Sequence, residues 1–439
     1  MFRYYLKLGL LSIRANPALS ALMVAAIAIG IGACMSIVTV RHLMSDNPIA
    51  HKNDVLYHVR LDNWNPDNPY DEPNEPPEQV TYLDATALHQ AERAFRQTIS
   101  FKSDRVVQPE GEDIRPFQEE IRATTADFFA MFDVPFEFGT GWDAAADQTQ
   151  EHVVVISSEM NQKLFGGENS VGQMMKMNNE LFRVVGVLAE WMPMPKFYDL
   201  NNNPYEGSEG IFAPFSVAVT GEWGSSGNNS CWKPIDDGGY EAYLASECIW
   251  IQMWVEFQDA SDKGAYLQFL NDYVEEQKTL GRFPRDLNNR LDTPAEWMVY
   301  QEVVDDMVSV LLSLAILFLL VCLLNTIGLL LAKVMRRTND ISLRRALGAS
   351  KSALFTQYII EAGIIGIAGG VAGIGMTWLG LRGIESVFSE YAFIAYLVNM
   401  DWNMILLAVA LAVVSALGAG LYPTWRACSL SPATTLRIQ

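Results

Sequence analysis

The sequence predicts an α-helical membrane protein with four transmembrane helices and one large α+β extracytoplasmic domain inserted between the first and second. Three observations carry that prediction. Four runs are free or nearly free of charge: 18–40, 308–332, 352–381 (which holds only Glu361) and 404–422. A bilayer core about 30 Å thick is crossed by about 20 residues of helix, and the shortest run has 19. Charge is also segregated. The segments before the first run, between the second and third, and after the fourth sum to +10, whereas residues 42–306 net −28. That acidic region, finally, mixes stretches of period two with stretches of helical period, which reads as α+β.

The elements follow in order. Residues 1–17 form an amphipathic elbow, with Tyr4, Leu8 and Leu11 at helical spacing and Arg3, Lys7 and Arg14 able to reach the interface. Asn16-Pro17 turns the chain into transmembrane helix 1, 18–42. Ile31-Gly32-Ala33-Cys34 loosely resembles a lipoprotein cleavage box, but it lies too deep in a long apolar run for a signal segment. Cys34 is expected to be a small packing residue. Basic flanks stay in the cytoplasm. Both termini are therefore expected inside and residues 43–307 outside. The low isoelectric point belongs to the outer region, and no nucleic-acid partner is expected.

Within the outer domain, 43–293, "DVLYHVRLDNW" alternates and predicts a strand. Residues 65–79 carry five prolines and five acids and predict an extended, mobile loop. Val80 to Arg96 predicts a helix with Phe95 facing inward, and "TADFFAMF" a second. "HVVVIS" and "LFRVVGVLAEW" read as strands around a Gly-rich turn. Residues 249–257 place Ile249, Ile251, Met253, Val255 and Phe257 on one face of a strand, and a helix follows at about 262–280. The Asn/Gly/Pro-rich insert 196–240 reads as surface loops. Cys231 and Cys248 flank part of it in a compartment where disulfides persist, and are expected to pair; two buried thiols are the other reading.

No Pro interrupts the chain between Pro294 and Pro423. A single helix over 294–337 is expected, about 66 Å long at 1.5 Å per residue, with its first turns as a stalk and the rest as transmembrane helix 2. Residues 338–351 make a cytoplasmic helix, 352–381 transmembrane helix 3, 382–403 a short outer loop, 404–422 transmembrane helix 4 and 423–439 the tail. Gly366, Gly369, Gly370 and Gly373 form small-xxx-small pairs in helix 3. Packing within the protomer and a dimer seam both fit them.

Catalytic motifs are missing. The five histidines have no ligand spacing, and there is no His-Glu-x-x-His, no Cys-x-x-Cys and no phosphate loop. The chain is expected not to be an enzyme and to bind no cofactor. Two polar residues sit inside spans: Glu361, expected to pair with Lys or Arg near the inner face, and Asn325, which can hydrogen-bond across helices.

The stretch "RRTNDISLRRALGASKS", 336–352, identifies a family. Its "ISLRRALGAS" resembles the signature of FtsX-like, MacB-type ABC transporter permeases, with Asp340 where Glu is usual and Ser342 where Gly is usual. "NTIGLLLAKVMRR" looks like the family's second span and "QYIIEAGIIGIAGGVAGIG" its third. "YPTWRACSLSPATTLR" looks like its C-terminus. "VVVISSEMNQKLFGGENSVGQMMKMNNELFRVVGVLAE" resembles the MacB-type periplasmic core. The resemblance implies a four-span permease of the bacterial cytoplasmic (inner) membrane working as a dimer, with a second permease of the same or another kind. ATP and Mg would bind to separate cytoplasmic ABC ATPase subunits. Asp340, Ile341, Leu343, Arg344, Arg345, Ala346, Leu347 and Gly348 would form the helix that couples to them. It further implies export of an antibiotic, peptide or toxin from the outer side, with a periplasmic adaptor and outer-membrane channel as further partners. Lipoprotein release, and a membrane sensor or adaptor without transport, are the alternatives. Gly348 is placed to stop the coupling helix and Ser350 to cap the next.

Overall fold

The computed structural model describes residues 2–109, 114–235, 238–387 and 402–429. The chain divides into two compact units, Met1–Ser45 with Val304–Gln439, and Asp46–Val303. Most of the expected outer loop 382–403, and the last ten residues of the tail, lie outside the described residues.

Helices α1 (Phe2–Ala15) and α2 (Pro17–Ser45) open the chain. The second unit begins with β1 (Leu56–Arg60), β2 (Val80–Thr81), α3 (Tyr82–Gln90), β3 (Arg96–Gln108), β4 (Phe117–Thr124), α4 (Asp127–Met131) and β5 (Phe136–Gly139). It continues through α5 (Ala144–Thr149), β6 (Val153–Ile156), α6 (Ser158–Phe165), β7 (Met174–Met177), β8 (Glu180–Leu188), β9 (Ile211–Pro214) and α7 (Phe215–Thr220). It closes with α8 (Gly239–Leu244), β10 (Ile249–Glu256), α9 (Asp262–Thr279), β11 (Arg290–Asp292) and α10 (Pro294–Tyr300). Helices α11 (Asp306–Met335), α12 (Thr338–Ala346), α13 (Lys351–Val387) and α14 (Trp402–Ser429) complete the first unit.

Four of these helices, α2, α11, α13 and α14, are long and apolar enough to cross a membrane. Helix α13 lies against both α2 and α14, and α11 packs on α2. The α13 glycines set those distances. A Cβ on Gly366 would sit 2.6 Å from the Ala416 Cβ, and one on Gly370 2.9 Å from that of Ala412, both on α14. Gly369 and Gly373 meet Ile27 and Ile31 of α2 in the same way, at 2.6 and 3.0 Å. Both glycine stripes are therefore spent inside the protomer, where small residues let backbones approach.

The Asp46–Val303 unit is built on an 11-stranded mixed sheet in the order β11-β1-β10-β3-β4-β9-β6-β8-β5, with β2 added to β10 and β7 to β3 and β8. Its central strands are covered on both faces. In β10, Ile251, Met253 and Val255 join one core, while Trp254 joins a second, aromatic core with Phe128, Phe132 and Phe197. Every residue of β1 and β10 is buried.

Several sequence expectations change here. The expected helix over 80–96 is confined to α3, and Phe95 is exposed rather than inward. The long hairpin β3–β4 follows it, hidden in sequence because polar and apolar residues mix along both strands. The insert 196–240 is more than decoration: β9 lies parallel to β4 and antiparallel to β6 in mid-sheet. The acidic proline loop 65–79 is held in place by its carbonyls. Arg285 donates to Asn65 O (3.1 Å) and Pro73 O (2.5 Å), Asn288 and Arg290 to Asn74 O, and Arg60 to Pro76 O (2.7 Å). A segment with too few apolar residues to build a core is thus ordered by Arg60 beside it and by Arg285, Asn288 and Arg290 far along the chain.

The expected continuous helix over 294–337 is broken. Helix α10 begins on a capping box, Thr293 with Glu296 and Pro294, and ends at Tyr300. Glu302 has φ 47°, which ends any helix, and Asp305 caps α11 by accepting from Met307 N. The first turns are no stalk, because Trp297 is completely buried. Its ring stacks on His58 of β1 at 4.1 Å, and the Arg60 guanidinium lies 3.8 Å from the Tyr300 ring centre. Burying Trp297 in the domain core outweighs whatever continuing the helix would gain.

This packing gives a pH prediction. Burial, and then the charge of Arg60, lower the His58 pKa to about 3. With the folded pKa depressed, neutral His58 contributes stability that is complete above the unfolded value of about 6.5. That stability is lost as pH falls toward 3, because the unfolded state binds the proton first. From pH 7 to 5 the loss is about 2 kcal/mol. His58→Phe is expected to remove that part of the slope in denaturant unfolding followed by tryptophan fluorescence.

Candidate functional site

The chemistry-bearing residues of the helical unit gather around α12 and the two helices that hold it. Helix α11 ends at Met335, and Arg337 begins α12 without a side-chain cap. Its guanidinium instead donates to Ser12 Oγ of α1 at 2.6 Å. At the other end Gly348, at φ +100°, takes the left-handed position. Gly348 N–H donates to Arg345 O (3.1 Å) and Ala349 N–H to Arg344 O (3.0 Å), which is a Schellman stop. Ser350 Oγ then accepts from Ala353 N at 3.1 Å and caps α13. A short helix is thereby set off on both sides from the long helices it joins.

Its faces differ. Ile341 is buried against Val334 of α11 and Leu354 of α13, with Phe355 and Tyr358 beside it. Ser342 is buried as well. Ile341, expected to face a partner, is therefore the anchor that fastens α12 to its own protomer; its place in the helical repeat puts it opposite Leu343. Leu343 and Leu347 are 55% and 80% exposed, and Ala346 shares their face. Asp340, Arg344 and Gly348 are exposed and Arg345 half-buried. Arg344 is steadied by donating to Gln357 Oε1 of α13 at 3.3 Å. Two large apolar side chains held in the open beside two arginines give this surface of α12 an apolar centre and a charged edge.

Behind this surface lies a buried charge cluster. Lys333 Nζ of α11 meets Glu361 Oε1 of α13 at 2.5 Å and donates to Ser20 Oγ of α2 at 3.1 Å. Ser12 of α1 donates to the same Glu361 oxygen at 2.6 Å. With Arg337 on Ser12, residues of four helices converge on one carboxylate. Glu361 has a lysine partner, as its depth in the span requires, and both side chains are almost completely buried. Lys333 lies 28 residues earlier in the chain, and nothing local in the sequence pairs the two. Asn325 behaves differently. It is exposed on α11, and its amide makes no side-chain hydrogen bond among the described residues.

The Asp46–Val303 unit holds a second polar cluster. Arg122, Lys196, Asp199 and Glu209 are fully or almost fully buried. Arg122 pairs with both Asp199 and Glu209, and Lys196 reaches Glu209 at 3.3 Å. Tyr198 donates to Glu209 Oε2 at 2.9 Å. Burial alone would raise the Glu209 carboxyl, but Arg122 and Lys196 hold it far below its usual value. The cluster ties β4 to the 196–209 segment. Cys231 and Cys248 form a disulfide with Cα atoms 4.2 Å apart, next to the Ser230–Ile249 bridge. Among the described residues no group of acids, histidines and cysteines is arranged to hold a metal ion.

Residues 20–266 match the model of the MacB-like periplasmic core domain, and residues 312–432 that of the FtsX-like permease C-terminal domain. The pyoverdine export ATP-binding/permease protein PvdT of Pseudomonas entomophila is 27% identical over 311 residues, covering 70% of this chain and 41% of that protein. The macrolide export ATP-binding/permease protein MacB of Syntrophobacter fumaroxidans is 22% identical, covering 73% of this chain and 47% of its own length. The chain thus spans less than half the length of these curated relatives. Among solved structures, the periplasmic region of MacB from Actinobacillus actinomycetemcomitans aligns with a TM-score of 0.37 at 12% identity, covering 59% of this chain and 99% of that one.

Proposed function

The chain belongs to the family of ABC transporter permeases with a MacB-like periplasmic core and an FtsX-like C-terminal domain, and from that premise we propose that it is a permease subunit driven through α12 by a separate cytoplasmic ATPase. The observation that carries this is the exposed Leu343–Ala346–Leu347 face, flanked by Arg344 and Arg345, on a helix anchored by Ile341. The charge pattern supports a cytoplasmic position for α12 and both termini. On this reading ATP and Mg bind to the ATPase, and no phosphate-loop motif occurs within these 439 residues.

Movement of α12 passes to the long helices α11 and α13, and by way of α11 and α2 to the Asp46–Val303 domain in the periplasm. The cargo, an antibiotic, peptide or toxin, is handled on that outer side. A second permease completes the transporter. Where the host has an outer membrane, an adaptor and channel extend the path. Tagged full-length protein, purified from its own membranes in mild detergent, is expected to bring an ABC ATPase with it in near-stoichiometric amount. A dimeric preparation repeatedly free of any ATPase would favour the sensor reading.

A further inference from the structure

Helix α11 is the least covered of the four membrane-length helices. One stripe of it, through Leu319, Cys322, Thr326 and Leu330, is buried inside the protomer. Another is bare. Leu314, Phe318, Val321, Asn325, Gly328 and Ala332 are all exposed. They recur at alternating intervals of four and three. At 100° per residue they fall within about 80° of one another. Sustained three–four spacing is the seam of a left-handed helix pair.

Asn325 interrupts that seam. It lies well inside the apolar run 308–332, and an amide facing lipid there has no water to bond. Gly328, one turn on, has nothing within 4 Å of a Cβ position and leaves room for a close backbone. The α13 glycines offer no competing seam, since they are filled by α2 and α14.

We infer that this face of α11 packs against α11 of a second copy of the chain, with Asn325 hydrogen-bonded to Asn325 of that copy at the centre. Two copies inserted in the same direction are related by a two-fold axis along the membrane normal. Their α11 helices run parallel, and residue 325 of each lies at the same depth. An amide is both donor and acceptor, so the pair is self-complementary. One polar residue in an otherwise apolar seam also fixes register. The inference rests on the reading of the chain as a dimeric permease and adds to it which helix forms the seam and which residue sets its register.

The test uses full-length protein in membranes, with Cys34, Cys322 and Cys428 changed to alanine. Single cysteines are placed on the seam (Val321→Cys, Asn325→Cys) and on the opposite exposed side (Ile316→Cys, Leu320→Cys), then oxidised. Covalent dimers are expected from the seam positions only. In the parent protein, Asn325→Ala is expected to weaken dimerisation roughly 3- to 30-fold, the range for one interhelical hydrogen bond. Asn325→Gln should keep most of it. Crosslinks from Ile316→Cys or Leu320→Cys, a dimer that crosslinks at none of the four, or a dimer that forms only with a different permease would overturn the proposal. The recovery of an ATPase with the chain scores the permease reading separately, so a dimer with its seam elsewhere leaves that reading standing.

Discussion

Lys333→Ala is expected to destabilise the helical unit by about 3–5 kcal/mol. The substitution leaves the Glu361 carboxylate buried with the Ser12 hydroxyl donating to it in place of a cation. Breaking a buried ion pair costs far more than the pair contributes, because the surviving charge is neither solvated nor neutralised. Glu361→Ala does the converse and strands Lys333 on Ser20. The double replacement Lys333→Met with Glu361→Leu removes both charges at similar volume and is expected to recover most of the loss. Thermal unfolding of the full chain in detergent distinguishes the three. A Lys333→Ala variant as stable as the double variant would mean that the two charges do not face each other. The cluster ties α1, α2, α11 and α13 together directly behind α12.

In the outer domain the largest effect is expected from Arg122→Ala. Arg122, Asp199 and Glu209 are all inaccessible to solvent at their side chains. Removing the guanidinium leaves two carboxylates with Lys196 as the remaining buried cation beside them. The cost is again about 3–5 kcal/mol, which for a domain of this size lowers the unfolding midpoint by roughly 10 °C. Arg122→Lys is expected to rescue little. An ammonium cannot present the planar fork that reaches two carboxylates on different segments. Loss of near-ultraviolet dichroism from the aromatic core during heating provides the measurement. A midpoint unchanged in Arg122→Ala would show that the cluster is not closed.

The sequence and the structure agree most where one physical cause dominates. Four charge-poor runs correspond to four membrane-length helices, because a bilayer requires apolar length whatever the tertiary contacts. The ends of α12 were legible for a similar reason, since Gly348 and Ser350 act locally. The break between α10 and α11 had local signals that length arguments outweighed. Thr293-Pro294 with Glu296 is a helix start, and Asp305-Asp306 is another only a dozen residues later. Strands β3, β4 and β9 lack clean alternation because the sheet is covered on both faces, and because polar residues such as Arg122 point into a buried cluster instead of water. The order of the 65–79 loop depends on Arg285, Asn288 and Arg290, some 200 residues away. Lys333 as the partner of Glu361 and Ile341 as an anchor are likewise tertiary facts. In each case the residue type was visible and the contact was not.

An ATPase that grips the exposed face of α12 loses its hold when that face is changed. Leu343→Asp with Leu347→Asp changes that face alone, whereas Arg344→Glu with Arg345→Glu reverses the charge of its edge and also removes the Arg344 hydrogen bond to Gln357. The leucines lie in the open, and exposed substitutions of this kind cost the fold about 0.5 kcal/mol or less. Ile341 and the Lys333–Glu361 pair stay in place. The measurement is the amount of ATPase recovered with the tagged full chain from membranes, wild type against each double variant, at equal permease and with unchanged melting. The leucine pair is expected to abolish recovery and the arginine pair to reduce it at least tenfold. ATPase recovered undiminished with both double variants would contradict this placement of the ATPase.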